Sequence, residues 1–212
     1  KMTIYMNTST TAMHVMDYLK ETPVTVVTNN LRMSEQEMHP SSTIILSGGE
    51  IHFPKAALIG ELAADSLRHI NANICIMGCS GINAQVGITT GDFRESKVNQ
   101  LMVQNSHGLV IVVADYRKIG VTSNFQVAGI QKIDILITDT YGDPARLKEI
   151  EEAGVTVMPG VKVDSLIVEG EKIVGVRAGE DELRSHVVVA ADGVNSFIAQ
   201  QAGIRAKEPM KH

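Results

Sequence analysis

The sequence predicts an α/β fold whose main domain is a mostly parallel sheet with helices on both faces, followed by a small C-terminal α+β appendage. Two observations predict the main domain. Over residues 1–158, apolar runs too short to be helices alternate with segments of helical periodicity, which is typical of βα units. Several of these runs end directly in glycines and small polar residues, as buried parallel strands do when they enter loops. From residue 159 short alternating strands replace this pattern, so residues 159–212 form a second predicted unit.

Caps and prolines divide the first part of the chain into its elements. Thr10 or Thr11 can cap a helix that ends before Pro23, Asn30 can cap the next one, and Pro54 separates an extended segment from a third. The predicted strands are 1–6, 24–27, 43–46 and 49–53, and the predicted helices are 10–20, 31–38 and 58–69, the last burying Leu58, Leu62, Ala63 and Leu67. Because a strand begins at residue 1, we expect the chain to begin inside its fold, without a leader.

The remaining elements continue the alternation of strands, polar loops and helices. A central strand over 73–77 is followed by a polar loop at 87–92 and by a helix over 93–105, whose Glu95 and Lys97 are predicted to be solvent-exposed. Pro144 suits the first turn of a later helix. The other predicted elements are strands over 109–113, 133–137 and 155–158, a helix over 144–153, a hairpin over 161–166 and 172–177, a strand over 186–191 and a helix from about 196 to 202.

Polar loops follow four of the predicted strands. They contain Asn7 to Thr11, Thr28 to Asn30, Ser47 to Gly49, and Gly78 to Gly81. In open parallel sheets, loop backbone N–H groups converge at the carboxyl edge, and ligands bind there. Any one of these loops could be an ordinary βα turn without a ligand. Four such loops at successive strand ends are less well explained in that way. The sequence therefore predicts one shared anion-binding mouth for a phosphorylated small molecule.

Composition argues against several classes of protein. A formal charge of −5 and a pI near 5.8 disfavour a domain that binds nucleic acid, which normally presents a basic face. Cys75 and Cys79 lack the second Cys or His pair of a zinc site, so we expect buried, reduced thiols and no metal. No apolar run approaches the ~20 residues that span a bilayer. We therefore expect a soluble cytoplasmic protein that has no contact with membranes.

Short phrases spread over residues 1–158 resemble the effector-binding domain of the DeoR family of bacterial sugar-metabolism regulators. The phrases are Asn7 to Thr11, Val26 to Asn30, Leu46 to Gly49, Gly60, Met77 to Ile82, Gly87 to Thr90, Ala114 to Gly120 and Ile135 to Asp139. The resemblance implies a fold similar to ribose-5-phosphate isomerase and binding of a phosphorylated sugar without turnover. It also implies DNA contacts through an amino-terminal winged helix-turn-helix, which this sequence does not contain. We further expect a homo-oligomer.

The resemblance and the strand-end loops together assign the candidate ligand contacts. Loop hydroxyls and amides would bind phosphate or sugar oxygens, and Lys118 would supply a point charge. Lys118 could instead be a solvated lysine, and Asp115 could equally be an N-cap. The predicted ligand-binding residues are Asn7, Thr8, Ser9, Thr10, Thr11, Thr28, Asn29, Gly48, Gly49, Gly78, Cys79, Ser80, Gly81, Asp115 and Lys118.

Residues from about 150 to 212 resemble an internal piece of a FixC-type flavoprotein, related to electron-transfer-flavoprotein:quinone oxidoreductases. The phrases that carry the resemblance are Glu152 to Val155, Gly160 to Asp164, Gly175-Val176 and Val189 to Ser196. In that family the element matching Asp192-Gly193 lies beside the flavin nucleotide. The Gly-x-Gly-x-x-Gly turn that opens the FAD site is absent, so we expect no cofactor. Asp192 and Gly193 would be the contacts if flavin were found.

Two enzymatic readings remain as alternatives. A sugar-phosphate isomerase needs a carboxylate base and a cation near one pocket, for which Asp92, Glu95, Asp115 and Lys118 are the candidates. The Gly78 to Gly81 loop lacks the acids of the isomerases that share the fold, which argues against this reading. A flavin oxidoreductase rests on residues 192–196 alone. The sequence thus favours a non-catalytic sensor, with no catalytic residues assigned.

Overall fold

The computed structural model describes residues 1–159, 165–169, 172–178 and 181–184. The chain divides into two compact units, residues 1–160 and 161–212. The predicted strand over 186–191, the following helix, and Asp192 and Gly193 lie outside the described residues.

The first unit contains twelve strands and four α-helices. The strands are β1 Met2–Met6, β2 Val24–Thr28, β3 Thr43–Leu46, β4 Glu50–His52, β5 Ala57–Ile59, β6 Ala72–Met77, β7 Gly81–Asn83, β8 Gly87–Thr90, β9 Ser106–Val113, β10 Phe125–Ala128, β11 Ile135–Thr138 and β12 Thr156–Pro159. The helices are α1 Thr10–Met13, α2 Glu61–Leu67, α3 Phe93–Gln104 and α4 Pro144–Glu152. Short 3-10 helices span His14–Tyr18, Leu31–Glu35, Tyr116–Lys118 and Ile130–Lys132.

Seven strands form one parallel sheet in the order β12-β11-β9-β6-β1-β2-β3. The α/β fold predicted from the sequence is therefore confirmed. Its core joins residues of five adjacent strands, namely Tyr5, Val27, Cys75, Val112 and Leu136. The chain builds the sheet from β1 toward β3 and later returns to β6 on the other side of β1. The direction of strand order thus reverses between β1 and β6.

Two smaller sheets accompany the main sheet. Strands β10, β8 and β7 form an antiparallel sheet, and β4 and β5 form a hairpin. The prediction of a loop over 87–92 was wrong, because Gly87–Thr90 is strand β8 and pairs with both β7 and β10. Strand β10 was not predicted at all. The pairing of β8 with β10 joins segments that are distant in sequence, which local periodicity does not reveal.

The helix predicted over 58–69 divides into two elements. Ala57–Ile59 is strand β5, and Gly60, with φ of 90°, turns the chain into α2. The buried face of α2 consists of Ala63, Ala64 and Leu67, and Leu62 is 74% exposed instead of buried. The helix predicted over 10–20 is likewise shorter, because α1 ends at Met13 and continues as a 3-10 helix, with Ser9 rather than a threonine as its N-cap.

The second unit is described only as a three-stranded antiparallel sheet. Its strands are β13 Ser165–Glu169, β14 Lys172–Ala178 and β15 Asp181–Arg184, in the order β13-β14-β15. Strand β14 matches the predicted strand 172–177, whereas β13 overlaps the predicted strand 161–166 only at residues 165 and 166. The two strands pair from Ser165 with Arg177 to Glu169 with Lys172, with a shift of register between Ile167 and Val168. Strand β15 was not predicted.

Candidate functional site

The reversal of strand order places two polar loops side by side. One follows β1 and begins at Asn7, and the other follows β6 and begins at Gly78. In parallel α/β sheets, ligands bind at the carboxyl ends of the strands where the strand order reverses. A cleft of about 410 Å³ opens here. This volume falls within the range of small-molecule sites.

The cleft is lined by residues from both loops and from five further elements. Ten of the predicted ligand-binding residues line it: Asn7, Thr8, Ser9, Thr10, Thr11, Gly78, Cys79, Ser80, Asp115 and Lys118. Its other lining residues are Lys55, Ile88, Thr89, Thr90, Glu95, Asn99, Arg117 and Val127. These belong to the β4–β5 hairpin, to β8 and β10, to α3 and to the 3-10 helix after β9.

Asn7 joins the two loops directly. Its Nδ2 donates to the carbonyl of Gly78 at 2.9 Å, and its Oδ1 accepts from the N–H of Gly78 at 3.1 Å. The same Oδ1 accepts from the Ser9 N–H at 3.3 Å, while Ser9 Oγ accepts from the Ala12 N–H. The side chain of Asn7 therefore holds the β1 and β6 loops together. The side chains of Thr8, Thr10 and Thr11 are at least partly exposed.

A glycine is required where the loops meet. A Cβ on Gly78 would overlap Oγ and Cβ of Ser9. Gly81 likewise lies in β7 against the backbone of Val121, which leaves no space for a side chain. Both glycines thus serve close packing, and only Gly78 lines the cleft.

Lys118 and Arg117 supply positive charge at one edge of the cleft. Arg117 is held by Asp115, with Nε at 2.8 Å from Oδ1 and Nη2 at 3.2 Å from Oδ2. Within the described part of the chain, Lys118 forms no ion pair. Lys118 is a partly buried residue, and its ammonium is available to an anion.

Asp115 has a structural role that the sequence left open. Its Oδ1 accepts from the Arg117 N–H at 3.0 Å and caps the 3-10 helix Tyr116–Lys118. The Arg117 guanidinium holds the pKa of Asp115 below its usual range, although partial burial opposes this shift. Burial also raises the pKa of the Cys79 thiol to about 12, against the nearby charge of Lys118.

Five predicted residues do not line the cleft. Thr28 and Asn29 are buried beneath the β2 end, where Thr28 Oγ1 accepts from the Asn30 N–H and Asn29 Nδ2 donates to the Leu58 carbonyl. Gly48 and Gly49 turn the chain after β3 with positive φ angles. Gly81 lies in β7. The predicted mouth therefore draws its lining from the β1 and β6 loops and not from those after β2 and β3.

The prediction that Glu95 is solvent-exposed was wrong. It was expected on an exposed helix face, yet it is 5% exposed and lines the cleft. Lys55, from the β4–β5 hairpin, lies 2.8 Å from its Oε1 and neutralises it. Lys97 is exposed as predicted. Helical spacing alone could have placed Glu95 beside Val98, Asn99 and Met102, all buried on α3, but nothing local indicated that Lys55 would reach it.

Two further findings concern metal ions and membranes. Among the residues that the structure describes, no group of three or more His, Cys, Asp or Glu side chains is arranged to hold a metal ion. None of the described helices has the length and apolarity needed to cross a membrane.

Comparison with known proteins gives a family match and three informative relatives. Residues 1–140 match the family described as the DeoR C-terminal sensor domain. The HTH-type transcriptional regulator GlpR of Haloferax volcanii is 31% identical over 159 residues, which cover 74% of this chain and 62% of that protein. The glycerol-3-phosphate regulon repressor of Escherichia coli is 29% identical over 122 residues, which cover 57% of this chain and 48% of the repressor.

The third relative belongs to a different class of protein. The probable electron transfer flavoprotein-quinone oxidoreductase YdiS of Escherichia coli is 46% identical over 68 residues, which cover 32% of this chain but only 16% of the flavoprotein. This chain therefore spans about three fifths or less of the length of each relative. The family match confirms the first resemblance seen in the sequence, and the second stands as a short, partial match.

Proposed function

This chain belongs to the DeoR C-terminal sensor domain family, and from that membership we propose that it senses a phosphorylated sugar, which it binds in the cleft between the β1 and β6 loops without turnover. The observation that carries the proposal is the convergence of these loops with Lys118 where strand order reverses. In this proposal the chain is the effector-binding part of a regulator of sugar metabolism, and it needs no cofactor.

The chemistry of this edge of the cleft suits a phosphate group. A phosphate offers only acceptors, so it binds to hydroxyl and N–H donors and to cations. Hydroxyls of Thr8, Thr10, Thr11 and Ser80 line the cleft, and Lys118 provides an ammonium without an ion pair among the described residues. One relative is named as a glycerol-3-phosphate regulon repressor, which agrees with a phosphorylated effector.

The proposal is tested by thermal unfolding with a panel of triose, pentose and hexose phosphates, each compared with its unphosphorylated sugar. A ligand present at 100 times its dissociation constant stabilises the folded state by about 2.7 kcal/mol. In a chain of this size that corresponds to a shift in Tm of roughly 5 to 10 °C. We expect at least one sugar phosphate, but not its unphosphorylated sugar, to produce such a shift.

Lys118→Ala provides the residue-level test. Removing the ammonium should weaken the binding of the active sugar phosphate by roughly tenfold or more, because a charge-assisted hydrogen bond is lost. Lys97→Ala, on the exposed side of α3, is the matched control. If no sugar phosphate stabilises the wild-type chain, the proposal fails. If one does and Lys118→Ala binds it normally, Lys118 is removed from the site.

A sugar-phosphate isomerase is the second candidate, and one observation favours it. Glu95 brings a carboxylate into the cleft, whereas the loop after β6 carries none. Proton transfer between adjacent sugar carbons requires such a base within reach of the substrate. The two readings are separated by incubating each stabilising sugar phosphate with the protein and following isomerisation by NMR. We expect the sugar phosphate to be recovered unchanged.

DNA recognition in this proposal belongs to a helix-turn-helix of the kind for which the regulator relatives are named. Residues 1–212 carry a net charge of −5 and should not bind operator DNA themselves. A gel shift with promoter fragments checks this. Homo-oligomerisation, which light scattering would measure, is also part of the proposal. Exposed apolar side chains such as Phe53, Leu62 and Phe93 are compatible with a subunit interface.

A further inference from the structure

One wall of the cleft is formed by α3 and differs chemically from the wall that carries Lys118. Glu95 and Asn99 are four residues apart on this helix, so their side chains lie on the same face. Both line the cleft, and they are only 5% and 3% exposed. Two polar side chains have therefore been buried at the same wall.

Asn99 has an unmet hydrogen-bonding requirement. Its Oδ1 is fully buried and has no hydrogen-bond partner among the described residues. Asn29 and Thr138 also carry such atoms, but of the three residues only Asn99 lines the cleft. Buried polar atoms in native proteins are nearly always paired, so an unpaired one at a cleft wall indicates a partner that enters the cleft. Because an amide has both an acceptor and donors, a hydroxyl group matches it well.

Glu95 presents carboxylate oxygens on the same wall. The Lys55 ammonium lies 2.8 Å from Oε1 and is the ion-pair partner of this carboxylate. An ionised carboxylate only accepts hydrogen bonds, so even with its charge balanced by Lys55 it can accept from hydroxyl groups, whereas it offers no donor to a phosphate, which has only acceptors. The α3 wall thus favours hydroxyl groups, while the wall with Lys118 and the loop hydroxyls favours a phosphate.

We propose that Glu95 and Asn99 bind the hydroxyl groups of the effector and so fix its orientation, with the phosphate at the β1 and β6 loops and the polyhydroxylated end at α3. This inference rests on the proposed function and adds a specificity site to it. Ile88 and Val127 also line the cleft, and they provide apolar surface for the C–H face of the carbon chain. The effector class is then a phosphate ester with several free hydroxyl groups.

The orientation has a consequence for specificity. A site built around buried groups that hydrogen-bond a hydroxyl discriminates strongly against an analogue without it, because those groups are then left unpaired. Inorganic phosphate should therefore occupy only the loop wall and bind weakly. A deoxy analogue that lacks the hydroxyl facing Asn99 should bind more weakly than the parent sugar phosphate.

The test measures dissociation constants by calorimetry for two probes. One is inorganic phosphate, and the other is the pentose or hexose phosphate that most stabilises the wild-type chain. The variants are Asn99→Leu, which keeps the side-chain size, and Glu95→Gln, which keeps the shape, with Lys97→Ala as the control on the same helix. We expect each cleft variant to weaken the sugar phosphate roughly tenfold. Binding of inorganic phosphate should be unchanged in Asn99→Leu and no weaker in Glu95→Gln.

The outcomes separate this inference from the function on which it rests. If both variants bind the sugar phosphate as the wild type does, or lose both probes equally, the hydroxyl assignment is overturned while phosphate sensing survives. If the wild-type chain binds neither probe, the proposed function fails and this inference fails with it. Far-UV circular dichroism establishes that each variant is folded. Should Asn99→Leu not fold, Asn99→Ser and Glu95→Gln provide the same comparison.

Discussion

Asn7 and Gly78 are 71 residues apart in sequence, yet they exchange two hydrogen bonds, Nδ2 to the Gly78 carbonyl at 2.9 Å and the Gly78 N–H to Oδ1 at 3.1 Å. These bonds join the ends of β1 and β6. Asn7 is only 4% exposed. Loss of its side chain would therefore leave partly buried polar groups of Gly78 unpaired, which costs free energy of unfolding. The connection between the two loops that line the cleft therefore depends on the side-chain amide of Asn7.

Asn7→Ala should destabilise the protein and loosen the site. The change leaves the Gly78 N–H and carbonyl without these partners, which costs about 2 kcal/mol in the free energy of unfolding. Urea denaturation measures this value. The control is Asn71→Ala, because Asn71 is exposed and its change should cost less than about 0.5 kcal/mol. Equal stability of the two variants would contradict a role for Asn7 in joining the loops.

Gly78→Ala should be destabilising for steric reasons. The new methyl group would overlap the Ser9 side chain, and relieving such overpacking costs about 1–3 kcal/mol. Gly91→Ala is the matched control, because nothing lies within 4 Å of a Cβ at that position. The double variant Gly78→Ala with Ser9→Gly removes the clash and should regain stability by chemical denaturation. If the second change gives no recovery, a cause other than this clash must be sought.

Lys55→Met should lower the free energy of unfolding, because it removes the ion-pair partner of the buried Glu95. The carboxylate loses its cation at 2.8 Å while it stays buried. Breaking a buried pair costs roughly 3–5 kcal/mol, and the 48% exposure of the Lys55 side chain reduces our expectation to about 1–3 kcal/mol. Adding Glu95→Gln to this variant should restore most of the lost stability, because no charge is then buried without a partner. Lys20→Met, whose partner Glu37 is exposed, is the control and should cost less than about 1 kcal/mol.

Asp115 should contribute stability that depends on pH. Its pKa is held below its usual range, first by the Arg117 side chain, so its carboxylate stabilises the folded state at neutral pH. This contribution is present above the unfolded-state pKa of about 3.9 and is lost as pH falls through the lower folded-state value. Asp115→Asn should therefore be about 0.5 kcal/mol less stable than wild type at pH 7. Urea denaturation should find that this difference shrinks toward zero below pH 4, and a constant difference would contradict the assignment.

The two cysteines should report on occupancy of the cleft. Burial raises the pKa of each thiol to about 12, so at pH 8 only roughly one in ten thousand is a thiolate. Alkylation by iodoacetamide should be slow in the folded protein, and Cys79 should react before Cys75 because it lines the cleft. A bound sugar phosphate should protect Cys79 and leave the rate at Cys75 unchanged. Mass spectrometry of the peptides distinguishes the two sites.

The sequence predicts the elements of the main sheet well because strand and loop identity are local properties. Apolar runs such as 73–77 and 109–113 are strands in the structure, and Asn30 and Pro144 begin the helical segments expected of them. The predictions fail where the outcome depends on a distant partner. Residues 87–90 are polar enough to be a loop, yet they pair with β7 and β10 as a strand.

What the sequence by itself determined is the chemical content of the strand ends: glycines, hydroxyls, Asn7 and Lys118 follow apolar strands, and their family pattern is specific. Only the tertiary structure decided which of these ends meet. The loops after β1 and β6 share the cleft because strand order reverses between them, whereas the loops after β2 and β3 lie farther along the sheet. It also decided that Glu95 is buried, since Lys55 reaches it from a hairpin 40 residues earlier. Periodicity records which face of an element is apolar, but strand order and the pairing of distant charges arise from long-range packing, which no local pattern encodes.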